Sequence, residues 1–165
     1  MNDPASDQAF VVEQDGDRAV VTRRTFSAPV DLLWRCYTEP ELVKKWLLGP
    51  PGWSMPVCEM DVRPGGKYHY RWRSDEDGGE FGFVGDFVSI EPGKQIVANE
   101  LPEDAPDMSP ARNTIDFVAD GGGSVLVMHM EFADAAACEA AVATGMTDGM
   151  GISFDGLEKL MDGLK

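Results

Sequence analysis

Basic residues are scarce in this chain of 165 residues: 14 Lys and Arg stand against 29 Asp and Glu, for a formal net charge of −15. Binding to nucleic acid rests on neutralising phosphates with Lys and Arg, so this balance excludes a nucleic-acid partner. Anionic membrane surfaces are disfavoured on the same ground. The densest basic stretch, Lys67 to Arg73, alternates with aromatics, and a period of two makes its basic side one solvated face of a strand. Cysteine is also sparse. Cys36, Cys58 and Cys138 form no paired spacing, which excludes a disulfide framework. Only two histidines occur, His69 and His129, sixty positions apart, so neither a metal site nor a cofactor is expected. No apolar run approaches the roughly 18 residues of a membrane span. The opening Met-Asn-Asp-Pro-Ala-Ser-Asp lacks the basic and apolar regions of a secretory signal. A soluble, acidic, cytoplasmic protein is the expectation. Phosphate-loop, nucleophile-elbow and zinc-helix motifs are all missing.

The length fits one domain of the usual size of about 100–200 residues. Residues 1–16 read as a flexible N-terminal arm or a weak first strand, and residues 17–165 as a single domain. Residues 18–26 are rich in β-branched side chains and form a strand. Ser27 to Pro29 starts a helix, with Ser27 as candidate N-cap, and Val30, Leu33, Trp34 and Tyr37 make its apolar stripe. A second short helix follows Pro40 and presents Leu42, Val43 and Trp46, with Trp34 and Trp46 as packing anchors at the sheet edge. The period then switches to two. Strands are expected over 57–62, 67–73, 80–91, 94–101, 111–119 and 124–133, punctuated by Gly- and Pro-rich turns. Asp61 and Arg63 fix the turn at Gly65-Gly66. The Pro-rich stretch 101–110 is long for a hairpin and suits a lid.

Helical spacing returns at Asp134, a candidate cap, and Gly145 interrupts it. Met146, Met150, Phe154, Leu157, Met161 and Leu164 then recur every three or four residues, so one amphipathic helix closes the chain. Gly149, Gly151 and Gly156 each cost about 1 kcal/mol there against Ala, which implies close approach of the helix to the sheet. Strands cluster together and helices stand apart, an α+β pattern. The sheet must bury one face, and only the last helix is long enough to cover it. A curved antiparallel sheet gripping the C-terminal helix results, with two short helices after the first strand.

Several segments resemble one family. They are Arg24-Thr-Phe-Ser-Ala-Pro-Val-Asp-Leu-Leu-Trp34, Thr38-Glu-Pro-Glu-Leu42 with Trp46, Glu59 to Gly66, Gly85 to Pro92, and Thr144 to Met150 with Leu157-Glu-Lys-Leu160. Together they resemble the START-like (SRPBCC) superfamily, and within it the homologues of the C-terminal domain of the heat-shock protein 90 ATPase activator. The resemblance implies a helix-grip fold with a cavity between sheet and long helix. It implies no defined reaction, because related branches bind lipids, carry hydrophobic ligands or cyclise polyketides. The Asn/Trp-rich motif of the co-chaperone's separate N-terminal domain is not among these residues, so stimulation of the chaperone ATPase is not expected.

Function therefore points inward. Tyr68, Tyr70, Trp72, Phe83, Leu126, Met128 and Met130 from the strands, with Met146, Met150 and Phe154 from the helix, are the expected cavity lining; Phe81, Phe87 and Phe132 belong to the same apolar faces, and a strand bulge would flip the facing of Phe81, Phe83 and Phe87. Pockets are mostly apolar with a few polar groups, and methionine adapts to irregular shapes. Arg71, Asn113, Glu100, Asp116 and His129 are the polar groups that could orient a ligand, although alternation turns His129 away from the Met face. No catalytic set emerges, and Cys58 has no evident base. The expected partner is a small hydrophobic or aromatic molecule. A chaperone-associated interaction module and a cyclase- or dehydratase-like enzyme stay as alternatives, with binding favoured over catalysis. A homodimer through a sheet edge or the helical end stays open.

Overall fold

Runs of alternating apolar and polar residues demand pairing partners for their backbone groups, and here all of them find one in a single sheet. The structure, a computed structural model, describes residues 10–165. Its strands are β1 (Val11–Asp15), β2 (Ala19–Phe26), β3 (Trp53–Met60), β4 (Lys67–Ser74), β5 (Glu80–Glu91), β6 (Gln95–Pro102), β7 (Ala111–Asp120) and β8 (Gly123–Glu131). The helices are α1 (Val30–Thr38), α2 (Pro40–Trp46), α3 (Ala135–Ala143) and α4 (Met146–Leu164). The sheet is antiparallel throughout, in the order β1-β2-β8-β7-β6-β5-β4-β3. It is the α+β helix-grip arrangement read from the sequence. Of the arm expected over 1–16, residues 1–9 lie outside the described residues, while Val11–Asp15 pair with Ala19–Arg23 as an edge strand. Register shifts between Ser54 and Val57 and between Phe87 and Ser89 mark irregularities of the kind that bend a sheet.

The core lies between the sheet's inner face and the helices. Cross-strand partners share a face. Val20, Phe26, Ile115, Phe117, Leu126, Met128 and Met130 meet Phe154, Leu157 and Met161 of α4 there, all buried. Phe154 is the keystone. Its ring packs edge-on against Phe26 and stacks on Trp46. Arg24, buried among these apolar neighbours at 4% exposure, donates to Asp155 at 2.7 Å and lies over the Phe26 ring.

Four local expectations met different fates. Asp134 caps α3, accepting from the Ala137 N–H at 2.8 Å. Ser27 does not cap α1. The helix begins after Pro29, whose extended ψ of 153° places the cap two residues later. The Ser27 hydroxyl donates instead to Glu158 Oε1 of α4 at 2.6 Å. Trp46 anchors α2 to Tyr37 and to α4, not to a sheet edge, and donates its indole N–H to the Cys36 carbonyl. Trp34 packs edge-on against Phe117 of β7, in the middle of the sheet. The α4 glycines were expected to admit the sheet. Gly151 instead faces the Phe10 ring, Gly156 faces the Trp46 carbonyl, and Gly149 faces open space. Gly145, at φ 80°, makes the left-handed turn that separates α3 from α4.

Candidate functional site

The ten residues expected to line a cavity fall into two groups. Leu126, Met128, Met130 and Phe154 are buried and packed beneath α4, where they fill the core. Met146 and Met150 flank them from α4, half-buried. Tyr68, Tyr70, Trp72 and Phe83 lie farther along the inner face, on β4 and β5, four and three strands from β8 in the sheet order. At about 4.8 Å per strand that is roughly 14–19 Å. Their rings form one strip. Phe87 meets Tyr68 at 5.1 Å between centroids, Tyr68 meets Tyr70 at 5.0 Å, and Trp72 follows at 6.0 Å. Phe81 stacks on Trp72 at the rim, and the Trp72 indole N–H donates to the Leu47 carbonyl after α2.

A polar group sits at the inner end of this strip. Gly85 lies between Tyr68 and Glu100 in the β4–β5–β6 register. A β-carbon at Gly85 would fall inside the Tyr68 ring, so only glycine lets that ring lie across β5. The Tyr68 hydroxyl crosses to donate to Glu100 Oε2 at 2.7 Å. Burial raises the Glu100 carboxyl above its usual range, and the Tyr68 hydrogen bond only partly opposes this. Burial also holds the Tyr37, Tyr68 and Tyr70 phenols far above their usual range, and the Glu100 charge pushes each of them further. Tyr37 of α1 completes the enclosure, held edge-on to Phe117 and beside Trp46. Yet Tyr37, Tyr70 and Glu100 are not sealed off, since each keeps partial solvent exposure. Tyr37, Tyr70 and Glu100 therefore mark a stretch of the inner face that packing leaves partly open.

Glu100 and Asn113 were named from sequence as ligand-orienting groups. Glu100 lies in the partly open stretch, and Asn113 shares the inner face opposite Ala98. Arg71, Asp116 and His129 do not join them. Arg71 and His69 are on the outer face and hold Glu103, with His69 Nε2 at 2.5 Å and Arg71 Nε at 3.0 Å. Their hydrogen bonds lower the Glu103 pKa. The middle of the basic face of β4, His69 and Arg71, is therefore paired, not merely solvated. The same contact ties the start of the 103–110 segment to the outer face, away from the inner face it was expected to cover. A groove of about 650 Å³ opens on that outer face, lined by His69, Val84, Asp86 and Leu101 among others. Asp116 accepts from Gln95, and His129 pairs with Asp15 at 3.1 Å, a carboxylate the sequence did not indicate. Cys58 shares the inner face beside Tyr70, and burial pushes its thiol up to about 11, away from nucleophilic use. Tyr37 and Gly85 were missed as site residues. A hydroxyl inside an otherwise apolar helix stripe was the one available signal for Tyr37.

Among the described residues, no three His, Cys, Asp or Glu side chains gather as a metal site, and no helix is long and apolar enough to cross a membrane. An eight-stranded antiparallel sheet holding a long C-terminal helix defines a START-like protein of the helix-grip class. The family model described as Activator of Hsp90 ATPase homolog 1-like protein matches residues 27–162, and the chain belongs to that family. It is similar in fold to a protein from Rhodobacter sphaeroides, at 24% identity and TM-score 0.86, over 94% of this chain and 99% of that one. A Mycobacterium smegmatis protein is similar at 22% identity and TM-score 0.82, over 91% and 94% of the two chains. A Nitrosomonas europaea protein is similar at 25% identity and TM-score 0.78, over 90% and 97%. No curated protein matches the chain at a significant level.

Proposed function

We propose that this protein binds a small, largely apolar or aromatic molecule in the recess between β4–β6 and α1. The observation that carries the reading is the partial exposure of the polar groups Tyr37, Tyr70 and Glu100 beside the aromatic strip of β4 and β5. Binding sites are concave and mainly apolar, with a small number of polar groups that fix orientation. The strip supplies apolar area, and Glu100 with the phenols supplies the orienting groups. Leu126, Met128, Met130 and Phe154 act as the floor that holds α4 in place and are not contact residues. The phenols stay protonated near neutral pH, so they serve as donors rather than bases, which favours binding over catalysis.

The test is a screen of small aromatic compounds by thermal shift and native mass spectrometry. Tyr70→Phe and Phe83→Ala should weaken the hits, whereas the distant outer-face variant Asp116→Asn should leave them unchanged. Hits that are indifferent to both recess substitutions would refute the location.

A further inference from the structure

Among the described residues Glu100 forms no ion pair, and its one side-chain hydrogen bond comes from the Tyr68 hydroxyl at 2.7 Å; burial raises its pKa with no basic group opposing. Arg71 of β4 and Arg112 of β7 are committed elsewhere. Arg71 binds Glu103 on the outer face, and Arg112 donates to Asn99 there at 2.8 Å. A desolvated carboxylate is costly unless a cation meets it. Its surroundings repeat the same preference. Tyr68 and Tyr70 stand 5.0 Å apart, and Tyr37 lies near enough for the Glu100 charge to act on it. Aromatic faces carry negative potential and attract cations, most strongly where water is excluded. Over longer range, the −15 net charge raises the local concentration of positive solutes.

From this juxtaposition we infer that the ligand is an organic cation, an apolar or aromatic body carrying one amine or ammonium group, with the nitrogen held by Glu100 between the Tyr37, Tyr68 and Tyr70 rings. The inference rests on the recess being the binding site and adds the charge of what it takes. The apolar body would extend along Tyr70, Phe83 and Trp72 toward the rim. Tyr68 has a positioning role, since its hydrogen bond orients the carboxyl.

A matched set separates the charge from the body: 2-(1-naphthyl)ethylamine, the corresponding 2-(1-naphthyl)ethanol, and 1-naphthylacetate, titrated into the full chain by calorimetry at pH 7. The amine should bind at least about tenfold tighter than the alcohol, and the acetate weakest. Glu100→Gln should bring the amine down to the level of the alcohol, costing the amine at least about tenfold more than it costs the alcohol. In the wild-type complex, nuclear Overhauser contacts should run from the methylene beside the nitrogen to the Tyr37 and Tyr70 rings, which needs no variant to fold. Equal binding of amine and alcohol at the recess would overturn the cation inference and keep the recess. Preferred amine binding with contacts elsewhere, or an amine preference that survives Glu100→Gln, would overturn it as well. Failure of all three probes to bind would overturn the recess reading along with it.

Discussion

Replacing Gly85 by Ala tests how the recess is built. Gly85 pairs with Tyr68 across β4 and β5, and the phenol ring lies over it to reach Glu100. An alanine β-carbon would overlap Cζ, Cε1 and Oη of that ring. The ring has nowhere to slide, because Tyr70 and Phe87 flank it at 5.0 and 5.1 Å and the residue is 5% exposed. Overpacking of this kind costs about 1–3 kcal/mol. Losing a hydrogen bond to a charged acceptor adds about 1.5–3 kcal/mol. Replacing glycine within a strand returns about 0.5–1 kcal/mol. The expected net loss is about 2–5 kcal/mol, a large part of the roughly 5–15 kcal/mol available to a domain. Equilibrium unfolding in urea measures it, with the slope expected to stay constant. Gly122, at a hairpin tip with open space around it, supplies the control, and Gly122→Ala should change stability little. A second arm isolates the crossing ring. In a Tyr68→Phe background the hydrogen bond and the hydroxyl overlap are already gone, so Gly85→Ala should cost at least about 1 kcal/mol less. A loss below about 1 kcal/mol, or one identical in both backgrounds, would refute the crossing-ring account.

Further predictions follow from the same contacts. Burial raises the Glu100 pKa in the folded state, so stability attached to that proton is complete below about pH 4.5 and declines as pH rises past it. Glu100→Gln should therefore gain on the wild type as pH goes from 4 to 7, and a flat difference in Tm would contradict this. Glu103 has the opposite sign. Its pKa is lowered, so its contribution is present above about pH 4.5 and fades as pH falls, and Glu103→Gln should show its largest deficit near neutrality. Asp155→Ala strands the buried Arg24 guanidinium, and because Asp155 itself is 68% exposed the loss should be about 1–2 kcal/mol by urea unfolding. Gly149→Ala meets nothing within 4 Å and should raise stability by about 0.5–1 kcal/mol, whereas Gly151→Ala sets its β-carbon 3.2 Å from the Phe10 ring and should gain nothing. Equal gains at both glycines would mean that Phe10 does not hold that position.

Strand existence and facing could be read from the chain because both are local. The β5 strand was expected over 80–91 and spans Glu80–Glu91, since alternation begins after Gly78-Gly79 and Pro92-Gly93 ends it. His129 was expected opposite the Met face and is found there. Its partner Asp15 lies on an edge strand with too little apolar pattern to be noticed. Caps show how far such readings reach. Ser27 and Asp134 both precede helical patterns, but only Asp134 sits at the true start. Pro29 defers α1 by two residues and frees the Ser27 hydroxyl for a contact 131 residues away.

The site was readable only in part, because alternation reports which face a side chain occupies and not what covers that face. Met128 and Tyr70 both point inward, with the same period and similar hydrophobic character. The path of α4 makes one of them core, and leaves the other, four strands along, partly open. That path depends on the Phe154 contacts with Phe26 and Trp46 and on the Arg24–Asp155 pair, all of them long-range. The Tyr68–Glu100 bond was hidden for a related reason, since it needs the order β4–β5–β6, the register and a glycine in the middle strand at once. What the chain did disclose were anomalies. Glu100 occupies an inward position where an apolar residue would cost nothing, and Tyr37 places a hydroxyl in an apolar stripe. A buried carboxylate kept without a protein cation is a standing cost to folding. Such a cost is recovered when a ligand that supplies the opposite charge binds the folded state and not the unfolded one. On the proposed reading, the polar exception inside an apolar pattern is therefore where the chemistry of a ligand would be set.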